Sequence, residues 1–273
     1  MTDRRLLVPY LMGQHRALLG RVAALDPRGW ETVEATECSA ATITDRNQQM
    51  RSMGVVYSRL AERVRSAVLA GQRPVSIAGD CISSLGMLAG LQQAGRQPGR
   101  ILWLDAHGDF HTWGTTQTQY LGGMPLAMLV GRKDRRQNAR DAIHALCSSV
   151  GCTPYPEQQI VLADARDLDP GEDEALRSSR IQRCSIGQIL PLLQRQESLY
   201  VHFDTDVLDA EQQMPALKYH VKAGPDIAQM RELFRQLRRF PLLAVSVSAW
   251  HAERDEGDRA ARVTLELLDQ LLA

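Results

Sequence analysis

The chain has 273 residues, 44% of them apolar, and a formal net charge of zero. That apolar share can fill a sizeable core, and residues 1–273 suit a single large α/β domain. The balanced charge, without a basic block or a basic–aromatic stripe, argues against nucleic acid as a partner.

No apolar run is long enough to span a membrane. The apolar run after the first charges is too short for a secretory leader, so the expected compartment is the cytoplasm. The five cysteines then read as reduced thiols rather than a disulfide framework. Cys147 and Cys152 lack partner ligands and read as incidental thiols.

In chain order the sequence predicts strand Leu6–Val8, helix Asn47–Ala70, strand Val75–Ala78, helix Ser83–Ala94, strand Ile101–Leu104 and helix Met124–Val130. It then predicts strand Ile160–Ala163, helix Gly187–Gln194, strand Leu199–Phe203, helix Asp226–Arg238, strand Leu242–Val247 and helix Arg259–Leu272. Strand–helix alternation over the whole length implies a mostly parallel sheet with helices on both faces. His15 and His144 read as helical surface residues.

Most informative polar residues fall just after strands, where open α/β sheets place their ligands. Two clusters stand out. Asp105, His107 and Asp109 follow the apolar run ending at Leu104, and Asp204 and Asp206 follow the run ending at Phe203. Side chains at i, i+2 and i+4 of an extended segment share a face, so each cluster can converge on one point. Carboxylates at such positions are costly unless their charge is compensated. A bound divalent metal, or two, compensates four Asp and one His.

The clusters, their separation and the strand–helix frame resemble the ureohydrolase family of arginases and agmatinases over nearly the whole chain. The family's motifs are Gly-Gly-Asp-His, Asp-Ala-His-x-Asp, Ser-x-Asp-x-Asp and a late apolar strand. This chain has Ala78-Gly79-Asp80-Cys81, Asp105-Ala106-His107-Gly108-Asp109 and His202-Phe203-Asp204-Thr205-Asp206. The resemblance implies a three-layer α/β/α fold of the arginase type and two Mn²⁺ ions at the carboxyl edge of the sheet. By position, Asp105 and Asp204 would bridge both metals. Cys81 and Asp109 would complete the first, and His107 and Asp206 the second. Cys81 departs from the family's usual His. A thiolate binds divalent ions but is softer than Mn²⁺ prefers, which leaves metal identity open.

Other departures gather around guanidinium handling. Gly122 falls where arginases carry a proton-shuttle His. Ala249 falls where they carry a Glu against the guanidinium, with Ser248 or Glu253 as substitutes if the register differs. The amino-acid end is kept. Asp169 and Glu172 match the pair that grips the α-amino group, Thr118 matches a Ser near the α-carboxylate, and His111 stands at a substrate-binding Asn. The stretch from Asp169 to Glu172 also reads as a helix N-terminus, and the two readings are compatible.

This combination is similar to the hydroxyarginases of D-cycloserine biosynthesis. It implies cleavage of Nω-hydroxy-L-arginine to hydroxyurea and L-ornithine, a small guanidino amino acid being the partner. The resemblance places Asp109 to steer the attacking water, with the metals lowering that water's pKa. Arginase, agmatinase, another guanidino-acid hydrolase, or a metal-poor binding protein remain open alternatives. His202 is open between support of the metal site and core packing, and His220 and His251 are candidates for the site edge. Arginases often trimerise through a C-terminal extension, and this chain ends at its last helix, so the expectation is a monomer.

Overall fold

The structure is a computed structural model that describes residues 2–38, 42–133, 142–211, 214, 216–217, 219, 221–248 and 250–273. Strand β1 (Asp3–Val8) leads into a hairpin of β2 (Tyr10–Leu11) and β3 (Gln14–His15), followed by α1 (Arg21–Leu25) and β4 (Glu31–Thr32). Next come α2 (Arg46–Leu69), β5 (Arg73–Ala78), α3 (Ser84–Gln93), β6 (Arg100–Leu104), α4 (Pro125–Leu129) and α5 (Ala142–Val150). The chain continues through β7 (Ile160–Ala163), α6 (Pro170–Arg177), β8 (Gln182–Cys184) and β9 (Leu199–Asp204). It finishes with α7 (Ile227–Leu237), β10 (Leu242–Ser248) and α8 (Arg259–Leu272).

Eight strands form one sheet in the order β4-β1-β5-β10-β9-β6-β7-β8. Each adjacent pair is parallel. Parallel neighbours need crossovers, and the crossover helices cover both faces, as the sequence pattern predicts. Period-two alternation sorts the strand side chains between two cores. Trp103 and Tyr200 lie in one with Tyr57 and Leu85 of α2 and α3. Leu102, Val201, Phe203 and Val247 lie in the other with Phe234 and Leu268 of α7 and α8.

Helix α2 shows why such elements form where the sequence puts them. Asp45 caps it by accepting from the Gln48 N–H at 2.8 Å. Met53, Val56, Tyr57, Leu60 and Val64 then make one buried stripe at helical spacing.

The expected helix Gly187–Gln194 is instead two short 3-10 turns, Ile186–Gln188 and Leu190–Leu192. Pro191 supplies no N–H to continue a helical ladder. His15 sits on β3 against the Tyr10 ring rather than on a helix. The side chain of His144 lies outside what is described, although its backbone belongs to α5. No helix among the described residues is long and apolar enough to cross a membrane.

Candidate active site

Three strand ends converge at the carboxyl edge of the sheet, each turned by its own local chemistry. After β5, the Gly79 N–H donates to the Tyr10 carbonyl at 3.0 Å. A Cβ on Gly79 would lie under 3.0 Å from that carbonyl, so the close approach requires glycine. Asp80 clamps the turn, accepting from Tyr57 Oη at 2.5 Å and from the Met12 N–H at 2.7 Å. Cys81 is thereby presented to the cleft.

After β6, Asp105 accepts from the His107 N–H at 2.8 Å. Asp109 adopts φ +51°, left-handed backbone that Asp tolerates better than most residues. Its carbonyl accepts the Leu126 and Ala127 N–H groups at 2.9 and 3.2 Å, anchoring the start of α4. After β9, Asp204 accepts from the Asp206 N–H at 2.9 Å, and Asp206 accepts from the Ala106 N–H at 3.3 Å. The two acidic turns are therefore bonded to each other.

The donor atoms of Cys81, Asp105, His202 and Asp204 lie within 4.8 Å of one another, and so do those of Asp105, His107 and Asp206. Cys81 Sγ is 2.8 Å from Asp204 Oδ2. His107 Nδ1 is 3.1 Å from Asp206 and 3.3 Å from Asp105. Asp109 lines the same cleft but belongs to neither donor group. Its Oδ2 is buried without a hydrogen-bond partner. The sequence places His202 outside the expected ligand set, yet its ring falls among the donors.

The electrostatics are those of unbalanced negative charge. Burial, then the charges of Asp105 and Asp204, push the Asp109 carboxyl well up. Burial and the neighbouring Asp206 push Asp204 to about 7. Burial, then the charge of Asp109, pushes the Cys81 thiol well up. His107 moves the other way. Burial disfavours its charge, but hydrogen bonds to Asp105 and Asp206 outweigh that and raise it to about 12. The site holds a proton where a cation belongs.

The opposite wall carries the residues expected at the amino-acid end. Asp169 is the N-cap residue of α6 by backbone position, but its side chain makes no capping bond. It points instead at His111, whose Nε2 is 3.3 Å from Asp169 and 3.7 Å from Glu172. Glu172 also accepts the Phe110 N–H at 2.8 Å, which ties this wall to the Asp109 turn. Burial raises Glu172 to about 7. Burial lowers His111, with Asp169 opposing. Thr118 lines the same cleft.

Gly122 faces the ring of Tyr120. A Cβ at Gly122 would meet that ring under 3.0 Å, so Tyr120 fills the space a side chain there would need. Tyr219 stands edge-on to both Tyr120 and His107, with ring centroids 6.1 and 5.4 Å apart. Nothing in the sequence patterning marks these two tyrosines, because loop path rather than periodicity brings them in. Ala249 and His220 lie outside the described residues. Ser248 lies beneath the cleft floor against Cys81 and Asp204. His251 and Glu253 interact with each other at 3.8 Å and do not line the cleft.

The cleft has a volume of about 560 Å³ and, among its described lining residues, no Lys or Arg. Four buried Asp, a thiol and two imidazoles, with one carboxylate oxygen unpartnered, leave more negative charge than the protonated His107 can answer. Two donor groups sharing Asp105 fit a pair of divalent metals.

Comparison with known proteins agrees. An N(omega)-hydroxy-L-arginine amidinohydrolase of Streptomyces lavendulae is 31% identical over 176 residues, 63% of this chain and 58% of that protein. An arginase of Brevibacillus brevis is 31% identical over 137 residues, 50% of this chain and 43% of that protein. The matched stretch thus spans less than two thirds of either relative. The crystal structure of arginase from Bacillus cereus superposes with a TM-score of 0.79 at 20% identity, covering 100% of this chain and 99% of that one, and so shares the fold. The arginase family model matches residues 16–273, and the chain belongs to the arginase family.

Proposed function

We propose that the chain is a binuclear-metal hydrolase of a guanidino amino acid, and that its substrate is Nω-hydroxy-L-arginine. Water and this substrate give hydroxyurea and L-ornithine, the chemistry that would supply D-cycloserine biosynthesis. The observation that carries the reading is the asymmetry of the cleft. Asp169, Glu172 and His111 come together on one wall, which supports the amino-acid end that the resemblance implies, while the Gly122 face holds a tyrosine ring where arginases carry a shuttle His.

Cys81, Asp105, His107, Asp109, Asp204 and Asp206 would hold the metals, two Mn²⁺ being the first candidates. When bound, the metal pair supplies the Lewis acidity that activates a water at neutral pH. The chain's own residues do the rest. Asp169 and Glu172 bind the α-ammonium group and fix the distance from the backbone end of the substrate to the metal floor. Asp109, with its free Oδ2, accepts the proton of the attacking water. The bond between the guanidine carbon and the ornithine nitrogen then breaks, and the proton passes to that nitrogen. Hydroxylation makes the guanidine less basic, so the neutral, attackable form is available without a shuttle.

The test is kcat/KM for Nω-hydroxy-L-arginine and L-arginine on one metal-loaded preparation. The expected preference for the hydroxylated substrate is about 10³-fold, roughly 4 kcal/mol in the barrier. Equal values, or a preference for arginine, would return the protein to an arginase reading.

A further inference from the structure

Beneath the cleft floor a buried polar row leads up to Asp204, and its other members have no part in the catalytic reading. Tyr200, His202 and Asp204 alternate along β9 on one face, and Ser246 and Ser248 do the same on β10. The register pairs Ser246 with His202 and Ser248 with Asp204, while Trp103 of β6 pairs with His202 from the other side. Tyr200, His202, Ser246 and Ser248 are each fully buried or within 1% of it.

The hydrogen bonds form one continuous line. Tyr200 Oη is 2.6 Å from Ser246 Oγ, and Ser246 Oγ is 2.8 Å from His202 Nδ1. His202 Nε2 is 3.3 Å from Ser248 Oγ. Ser248 Oγ donates to Asp204 Oδ2 at 2.7 Å and lies 3.2 Å from Cys81 Sγ. The terminus sets the direction. Asp204 as a carboxylate only accepts, so Ser248 spends its single O–H there. Ser248 must then accept from His202, which makes Nε2 the protonated nitrogen and Nδ1 the acceptor. Ser246 in turn donates to Nδ1 and accepts from the Tyr200 phenol.

We propose that His202 is a positioning residue for a cysteine-containing metal centre, acting through Ser248 to hold Cys81 and Asp204 in ligating geometry. The inference rests on the two-metal reading above. His202 lies among the donors of the first group but is committed elsewhere. Both its nitrogens are engaged, and its ring stacks on Trp103 with centroids 3.9 Å apart at 32°. The pairing with cysteine follows from size. Cys81 is short and offers one sulfur, which cannot be oriented by a second ring nitrogen as a histidine ligand is. Ser248 Oγ, held on Asp204 and packed 3.2 Å from the sulfur, fixes the sulfur's position by contact rather than by donating to it, and the imidazole of His202 fixes the hydroxyl. Position 202 is Ser, and position 81 His, in the motifs this chain resembles, so both members of the pair differ together here.

The experiment is a double-mutant cycle on the full chain, read by cobalt(II) titration and by the sulfur-to-cobalt charge-transfer band that reports Cys81 ligation. With Cys81 present, His202→Ser should weaken the first site about 10–100-fold and shift or dim that band. With Cys81→His in place, His202→Ser should change cobalt affinity less than about threefold. Tyr200→Phe removes only the far hydroxyl and serves if His202→Ser does not fold. It should weaken cobalt in the same direction, and only with Cys81 present. Equal losses in both backgrounds would mean His202 acts by packing or by direct ligation, and would overturn the proposal. An unchanged band in Tyr200→Phe would overturn it too. An unsubstituted protein that takes up no cobalt would instead overturn the two-metal reading itself.

Discussion

The two edges of the sheet handle buried carboxylates in opposite ways. At the amino edge Asp26, 4% exposed, accepts from Arg5 at 3.2 Å, Arg28 at 2.7 Å and Trp30 at 3.0 Å. Asp3 pairs with Arg73 at 2.7 Å, Glu31 with Arg4 at 2.8 Å, and Asp269 with Arg28. Burial alone would raise Asp26, but the hydrogen bonds from Arg28 and the charge of Arg5 bring it below its ordinary value. At the carboxyl edge Asp105, Asp109, Asp204 and Asp206 are as deeply buried, with two imidazoles beside them but no Arg or Lys among the described residues lining the cleft. Asp109, Asp204 and Asp206 shift up, not down. The same residue type is stabilising where arginine answers it. Where nothing internal does, the structure gives up stability to keep a place for external charge.

Exchanging one carboxylate at each edge should separate these roles, and this is the largest effect expected. Asp109→Asn should lower kcat/KM by at least about 10³-fold, a barrier change of about 4 kcal/mol. The apoprotein should melt no lower than the parent, because a like-charge contact has gone. Asp26→Asn should leave two metals bound but cost about 3–5 kcal/mol of stability, since it strips Arg5 of its buried partner. Denaturant melts beside metal analysis decide the matter. A folded Asp26→Asn protein that has lost its metals would erase the contrast.

Metal removal should sharpen the comparison at a smaller scale. Ions held at 100 times their dissociation constant stabilise by about 2.7 kcal/mol. Chelation should therefore lower Tm by about 5–10 °C in a chain of this size. In Cys81→Ser the chelator-sensitive part of Tm should shrink, because a first-site ligand is gone. Cys147→Ser, buried away from the cleft, should keep it whole. Equal responses in the two variants would remove Cys81 from the centre.

The floor of the cleft was legible in the sequence because strand ends are dictated by pattern. An apolar run stopping at Asp105 or Asp204 gives the position, the face and the neighbours at once. Helix α2 was legible for a similar reason: the sequence predicts Asn47–Ala70, and the helix runs Arg46–Leu69, within one residue at each end. The walls were less so. Tyr120 and Tyr219 arrive on irregular backbone, where no period predicts direction. Strand β8 is short and exposed on two of its three residues, so it carries no apolar signal. Ser248 was readable as polar at a strand end but not as a floor support. That role depends on the cross-strand register with Asp204, which only the sheet order reveals.

The smallest effect belongs to the wall, and it is a pH dependence. Glu172 is buried beside His111 and is raised from an ordinary 4.5 to about 7. Below that value it is neutral and offers no charge to an α-ammonium group; above it, the carboxylate is formed. Binding of a cationic amino group favours the ionised form, so affinity must rise as pH rises through that window. The dissociation constant for L-ornithine, followed by calorimetry on metal-loaded protein, should fall by up to about tenfold per unit between pH values of about 5 and 7, then level off. His111 does not cancel this, because burial keeps it below its ordinary value despite Asp169. Glu172→Gln should bind more weakly above neutrality and flatten the profile, while its metal content stays at two. A profile that keeps its slope in Glu172→Gln would move the titration to another group and leave the amino-acid wall without its charge.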